Sequence, residues 1–589
     1  MPSRDELTTN QPLLSPPSQN KLHREACQAG NDRQKMATVC ARQECVANNK
    51  WLSALFFIAG AFALISLRWI AATNKHINSD ETQHLHISWA WHNGLTAYKD
   101  LFDNHTPLFH ILYAPIYGLF GETPDIVFLM RLSTIPLYLA AIYLTYAIAK
   151  ELFDKRIGLY AAALTAIYPR FFLIMAEFRA DDLWLVLWLT SCLLYVKNRD
   201  KIETNYIFGF VVGAMFCVSM KSILLIACLV GASSASYVLG YRTENNHKAR
   251  DIVAFVSGLA TLPVVLLSYL ASHDALGHFI NQAILHNAPT HPDYLKRLIS
   301  AAPYLSVYLI LAAVAWKANH SPSRQQTSRR TTLLIWLTFF IPGIYIFWPW
   351  MTAQTTIPAI PIAAIFFTSA ISQIPARLNY RSVSLSAVAL IIAALFEVSA
   401  LIPNLSAQSD KNAKPENDLL KAVLSLTDKS DKVFDLKGET IFRQRAYFPV
   451  LETITRENVQ RNPELDTIAE DVVAQKAVVA IPDAPRIPPR GRQFLNDHYV
   501  QVGPVRVPGK TWPAPLPTGL LKVEIVIPGE YGLVNANGLV KASIDGVTAD
   551  WPVYLSQGEH TVFVAPNTSG PLVLVWNRAL EHDYLPSIF

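Results

Sequence analysis

Residues 78–110 read N-S-D-E-T-Q-H-L-H-I-S-W-A-W-H-N-G-L-T-A-Y-K-D-L-F-D-N-H-T-P-L-F-H, directly after an apolar run, residues 51–72. That run is long enough to cross a bilayer. Asp80 and Glu81 therefore stand at a membrane surface, where an ionised carboxylate is costly unless it has a partner or a task. Leu85, Trp89 and the apolar residues 111–113 return at helical spacing, the pattern of a helix lying in the interface. The rest of the chain reads as a membrane frame holding this loop and a C-terminal part covering it.

Further apolar runs follow at about 131–149, 157–176, 181–196, 206–220, 222–239, 251–271, 300–316, 331–348, 353–373 and 382–402. With the first run they predict a polytopic α-helical membrane protein of about eleven spans. A composition of 51% hydrophobic and 16% charged residues in 589 fits that class and excludes an ordinary soluble enzyme. Basic residues fall in every second connection: Lys150, Lys155 and Arg156; Lys197, Arg199 and Lys201; Arg242, Lys248 and Arg250; Lys317, Arg324, Arg329 and Arg330; Arg377 and Arg381. By the positive-inside rule these connections and the N-terminus are cytoplasmic, and an odd number of spans leaves the C-terminal part extracytoplasmic. No basic stripe with interleaved aromatics is present, so nucleic acid is not an expected partner.

Four regions are expected. Residues 1–50 are polar and proline-rich at the start, a disordered cytoplasmic tail. Residues 51–403 form the transmembrane domain, with an outer loop at 73–130 carrying interfacial helices. Residues 404–510 mix helical and strand-like runs, an α/β segment. Residues 511–589 alternate apolar and polar side chains between Pro-Gly, Asp-Gly and Asn-rich turns, which predicts a β-sandwich with a candidate carbohydrate-contacting surface. Cys27, Cys40 and Cys45 lie in the tail without a C-x-x-C pair, and the C-terminal part has no cysteine, so disulfides do not hold it.

The segments expected on the outer face must jointly build any site. Asp80 and Glu81 lead, on a loop crowded with His84, His86, His92, Lys99, Asp100, Asp103 and His105. Asp103–Pro107 (D-N-H-T-P) is a turn. Glu177, Arg179, Asp181 and Asp182 place four ionisable groups in six positions at a membrane boundary. Lys221 interrupts a long apolar stretch at an outer turn, where an anionic lipid phosphate is an obvious partner and a snorkelling lysine the alternative. Arg131 opens the second span. Lys296 and Arg297, with His273, His278, His286 and His291, make residues 272–299 rich in anion-binding groups on a segment long enough to be a mobile cover. Gln354 heads a late span. A divalent metal, with Asp80, Glu81 and His105 as its candidate ligands, is open at this level, although neither H-x-x-x-H nor H-E-x-x-H occurs.

N-S-D-E after the first span, G-L-T-A-Y-K-D-L-F-D-N-H-T-P-L-F-H, R-L-S at Arg131 and F-R-A-D-D-L at Phe178 together resemble the GT-C glycosyltransferases. The likeness is in particular to bacterial relatives of protein O-mannosyltransferases and of the lipid A aminoarabinose transferase (glycosyltransferase family 39/83-like). The late Q-T-T-I-P-A-I-P-I is a looser match, and the loop lacks the D-x-D of oligosaccharyltransferase relatives. The resemblance covers about residues 50–400. It implies an inverting glycosyltransferase in the cell inner membrane that takes a sugar from a polyprenyl-phosphate donor and passes it to a glycan, lipid or protein acceptor. It implies catalytic roles for Asp80, Glu81 and Asp181, with Asp182 an ambiguous neighbour. Arg131, Lys221 and Arg179 would hold the lipid phosphate, and His105, Asp182, Lys296, Arg297 and Gln354 complete the substrate-binding set. The rival readings are a transporter or flippase of a lipid-linked glycan, which would need polar groups near the bilayer midplane or broken helices in matched halves, and a membrane-anchored binding protein.

Overall fold

The computed structural model describes residues 58–197, 201–241, 249–288, 295–297, 324–348, 352–373, 385–409, 414–513, 518–566 and 570–589, with single residues between. The tail at 1–50, its three cysteines, most of the expected span at 300–316 and His291 lie outside the described residues. Residues Met1–Trp69 and Ile70–Phe589 form two separate units, and everything below concerns the second.

The apolar runs are helical wherever they are described. Among the described residues, Ile126–Leu152, Ala249–Ser272, Gln325–Phe347 and Leu385–Ser406 are long and apolar enough to cross a membrane. Leu108–Phe120, Ile202–Val218, Ser222–Val238 and Ala359–Ser372 are shorter apolar helices. The expected span at 157–176 breaks at Pro169 into Lys155–Ile167 and Pro169–Ile174, because proline opens a new helix and cannot continue the old one. The described helices therefore do not confirm the count of eleven. Ala249–Ser272 leaves Val253, Val256, Val264 and Val265 exposed, an apolar face suited to lipid. Its other face meets Ile202–Val218 closely: a Cβ on Gly209 would lie 2.0 Å from the Phe255 carbonyl oxygen, and one on Gly258 2.1 Å from that of Tyr206. Small residues let the two backbones touch.

The C-terminal part begins with helix Lys414–Leu426 and three short parallel strands, Lys432–Phe434, Gln444–Arg445 and Val479–Ala480. Helices Ile468–Ala474 and Pro489–His498 cover them through Ile468, Val472 and Leu495, packed on Phe434 and Leu451. Strand Val505–Trp512 then pairs with Val479–Ala480 on one side and with Leu572–Trp576 on the other, so a single nine-stranded sheet runs through both expected regions. A boundary at 510/511 would cut this strand. A second, four-stranded antiparallel sheet follows the order Val547–Thr548, Ala542–Ile544, Gly558–Val564, Leu520–Ile525. Strict alternation along Leu520–Ile525 buries Leu521, Val523 and Ile525 on one face, where they share a core with Leu533, Leu555, Leu572 and Leu574 of the larger sheet.

Candidate active site

The helix α1, Ser79–His92, starts on Asn78, whose side chain accepts the Asp80 N–H at 3.0 Å. Asn is a favoured cap residue, and acidic groups in the first turn suit the positive end of the helix. Consecutive helical residues point about 100° apart, so Asp80 and Glu81 face different surroundings. Glu81 turns inward, fully buried, and receives both Nε and Nη2 of Arg131, each at 2.7 Å, and the Phe178 N–H at 2.8 Å. Arg131 also donates to the carbonyls of Ala72, Lys75 and His76. This pair ties the start of α1 to helix Ile126–Ser133 and to the turn before helix α2, Ala180–Lys197.

Asp80 faces a cavity of about 330 Å³. Arg179 Nη2 donates to its Oδ2 at 2.9 Å, and Lys437 Nζ pairs with its Oδ1. Burial opposes ionisation of Asp80, but the Arg179 guanidinium and the Lys437 ammonium outweigh it and hold the carboxyl well below the usual carboxylate range. Arg179 Nε reaches Asp181 Oδ2 at 3.2 Å, and Lys221 Nζ reaches Asp181 Oδ1 at 2.7 Å. Asp181 thus fixes two cations on the cavity wall. His84, His105, Asn104 and Asn287 line the same space, with Glu452 and Arg486 from the C-terminal part. His105 is held by Asp103, whose Oδ1 accepts the His105 N–H at 2.9 Å. Burial, with His105 and His110 beside it, keeps His84 well below the usual histidine range and therefore neutral.

Of the residues singled out from sequence, Asp80, His105, Arg179, Asp181 and Lys221 meet at this cavity. Glu81 and Arg131 do not; they neutralise each other behind it. Asp182 is fully buried and outside the lining. Gln354 donates to Glu177 at 3.3 Å, and Glu177 in turn pairs with Lys75. Lys296 and Arg297 lie outside the lining, although Arg297 holds the carbonyl of Trp348, which is part of it. The expected cover at 272–299 is anchored in its first half: Gln282 donates to the Tyr98 carbonyl at 2.6 Å and accepts the Asp103 N–H at 3.0 Å. His286 Nε2 lies 2.5 Å from Glu452, which also accepts from Asn104.

The metal set Asp80, Glu81 and His105 does not converge. Both carboxylates carry guanidinium or ammonium groups, and among the described residues no three His, Cys, Asp or Glu side chains gather as a ligand set.

Lys437 is the contact that sequence reading missed. It belongs to D-L-K-G-E-T, residues 435–440, a turn that docks on α1: a Cβ on Gly438 would lie 2.7 Å from the His86 Cβ, and Gly438 adopts φ +91°. Gly438→Ala is expected to lower the thermal unfolding midpoint, since a Cβ in left-handed backbone costs about 1–2 kcal/mol before that clash is counted. An unchanged midpoint would mean that the turn can lift off α1 freely.

Comparison with known proteins shows the fold. Residues 104–269 match the sequence model of a family described as dolichyl-phosphate-mannose-protein mannosyltransferase. The crystal structure of ArnT from Cupriavidus metallidurans in the apo state superposes with a TM-score of 0.53 at 13% identity, over 77% of this chain and 98% of that one. The chain shares the fold of this ArnT. The same ArnT bound to undecaprenyl phosphate matches this chain at 0.53 and 12% identity, over 77% and 97% of the two chains. The Archaeoglobus fulgidus oligosaccharyltransferase in complex with Zn and sulfate gives 0.43 at 12% identity, over 74% and 71%. Among curated proteins no sequence match to the chain is found.

Proposed function

We propose that the chain transfers a sugar, with inversion, from a polyprenyl-phosphate donor to an acceptor hydroxyl at the extracytoplasmic face of the cell inner membrane. The observation that carries this reading is the placement of the Asp80 carboxylate in one cavity with Arg179, Lys221, Lys437 and Arg486. Glycosyl transfer passes through an oxocarbenium-like state and needs a group to take the acceptor proton. The departing phosphate gains charge, which fixed cations stabilise in a partly dry site. Asp80 is assigned the proton, Arg179 and Lys221 the phosphate, and Asp181 the positioning of those two cations. The donor's lipid explains why such a site belongs at a membrane edge, and ArnT bound to undecaprenyl phosphate supports that donor class by fold alone. The two packed C-terminal sheets are read as a β-sandwich on the same side of the membrane.

The test is to incubate purified protein and membrane extract with a panel of radiolabelled polyprenyl-phosphate sugars. One donor should lose its label to an acceptor and leave free polyprenyl phosphate, whereas nucleotide sugars should be inert. If no lipid-linked donor transfers, or a nucleotide sugar does, the reading fails.

A further inference from the structure

We infer that Lys437, carried into the catalytic cavity by the C-terminal part, is a shared counter-ion that passes from the Asp80 carboxylate to the donor phosphate during transfer. The inference rests on the reading just given.

The first observation is how firmly the turn that bears Lys437 is built. Glu439 accepts the N–H groups of Leu436 and Lys437 at 3.0 and 2.7 Å, and Asp435 accepts those of Gly438 and Thr440 at 2.9 and 3.0 Å. Arg445 locks Asp435 at 2.7 Å. On the other side His86 Nδ1 donates to the Ile441 carbonyl at 2.8 Å, which seats the turn on the helix carrying Asp80. The backbone at Lys437 is therefore fixed from both sides. What retains freedom is a four-carbon stem with a compact ammonium at its end, a group that can change partners without moving the chain.

The second observation is a surplus of positive charge. Three carboxylates line the cavity, Asp80, Asp181 and Glu452, against four cations, Arg179, Lys221, Lys437 and Arg486. Glu452 already faces His286 and Asn104, and Asp181 is shared by Arg179 and Lys221. Asp80 and Asp181 together therefore face three cations, Arg179, Lys221 and Lys437, where two would neutralise them. A phosphodiester donor brings one negative charge into this space, which matches the surplus.

The charges then balance through the reaction. The acceptor oxygen bonds to the anomeric carbon and its proton goes to Asp80. The bond from that carbon to the phosphate oxygen breaks, with the electron pair leaving on the phosphate. Asp80 loses its negative charge as the phosphate gains one, so an ammonium touching both is stabilised on the phosphate side. Before the donor arrives, the same ammonium keeps Asp80 a poor base; pairing with the phosphate restores its basicity. The C-terminal part thus supplies a working residue of the site as well as covering it.

A double-mutant cycle on polyprenyl phosphate binding tests this. Undecaprenyl phosphate is titrated into detergent-purified wild type, K437M, D80N and D80N/K437M, with unfolding midpoints measured alongside. K437M should weaken binding about 10- to 100-fold, the size of one charge-assisted contact. D80N frees the ammonium and should tighten binding, and the double variant should lose that gain. K437R should restore most of the binding lost in K437M, and K437Q takes the place of K437M in the cycle should the latter misfold. If K437M and K437Q bind like wild type, or the D80N gain survives without Lys437, the inference is overturned while the donor assignment stands. If wild type itself fails to bind undecaprenyl phosphate, the donor assignment falls and takes this inference with it.

Discussion

Asp80→Asn should lower the transfer rate by about 10²–10⁴, the usual contribution of a positioned proton acceptor. The amide keeps the shape of the side chain and an oxygen for Arg179, and loses the ability to accept a proton. The fold should survive, because Arg179 retains Asp181 at 3.2 Å and Glu177 at 3.7 Å. The pH dependence follows from the direction of the shift. Burial works against ionisation, and Arg179 and Lys437 reverse it, so Asp80 stays charged to well below the usual carboxylate range. The stability its pairing contributes is present above that range and disappears only as pH falls through the depressed value. Transfer should therefore not decline through Asp80 as pH is lowered from 7 to 5. Rates measured on purified D80N and wild type across that interval decide the matter. D80N activity above about a tenth of wild type would remove Asp80 from the proton-transfer role.

What the sequence could and could not show follows from how local each signal is. The loop at Asp80, the turn at 103–107 and the charges at 177–182 were legible because ionisable groups next to apolar runs are costly, and that cost is visible residue by residue. Lys221 stood out for the same reason. The division of labour between Asp80 and Glu81 was not legible: adjacent helical residues diverge, and only the packing of Arg131 decides which one is buried. Gln354 looked like a polar head on a span, and its partner Glu177 lies 177 residues away. Lys437 is 357 residues from Asp80, and nothing in D-L-K-G-E-T beyond a strand followed by a glycine turn marks it for a distant helix. In the C-terminal part, alternation revealed the strands. The continuity of the larger sheet through Val505–Trp512 could not be read, because pairing on both edges of one strand leaves no trace in its own pattern.

Arg131 is the residue whose removal should cost the fold most. Its guanidinium is 1% exposed and, among the described residues, its carboxylate contact within salt-bridge distance is Glu81, itself 0% exposed. Arg131→Ala leaves that carboxylate buried with the Phe178 N–H as its remaining hydrogen bond and strips donors from three carbonyls. Breaking such a pair from one side typically costs about 3–5 kcal/mol, against a total stability of about 5–15 kcal/mol for a domain. A large drop in unfolding midpoint and in yield from membranes is expected. Arg131→Lys should not rescue it, since an ammonium cannot reproduce the bidentate geometry. Replacing both partners, in Glu81→Leu with Arg131→Met, removes the stranded charge and should recover much of the loss. That double variant separates the two roles open to Arg131. The resemblance to GT-C enzymes implied a hand in holding the lipid phosphate, whereas the geometry sets Arg131 behind the cavity wall as a clamp on α1. If the folded double variant binds undecaprenyl phosphate as wild type does, Arg131 is the clamp. If it folds and binding is lost, the guanidinium reaches the donor after all, and the cavity must extend to it when loaded.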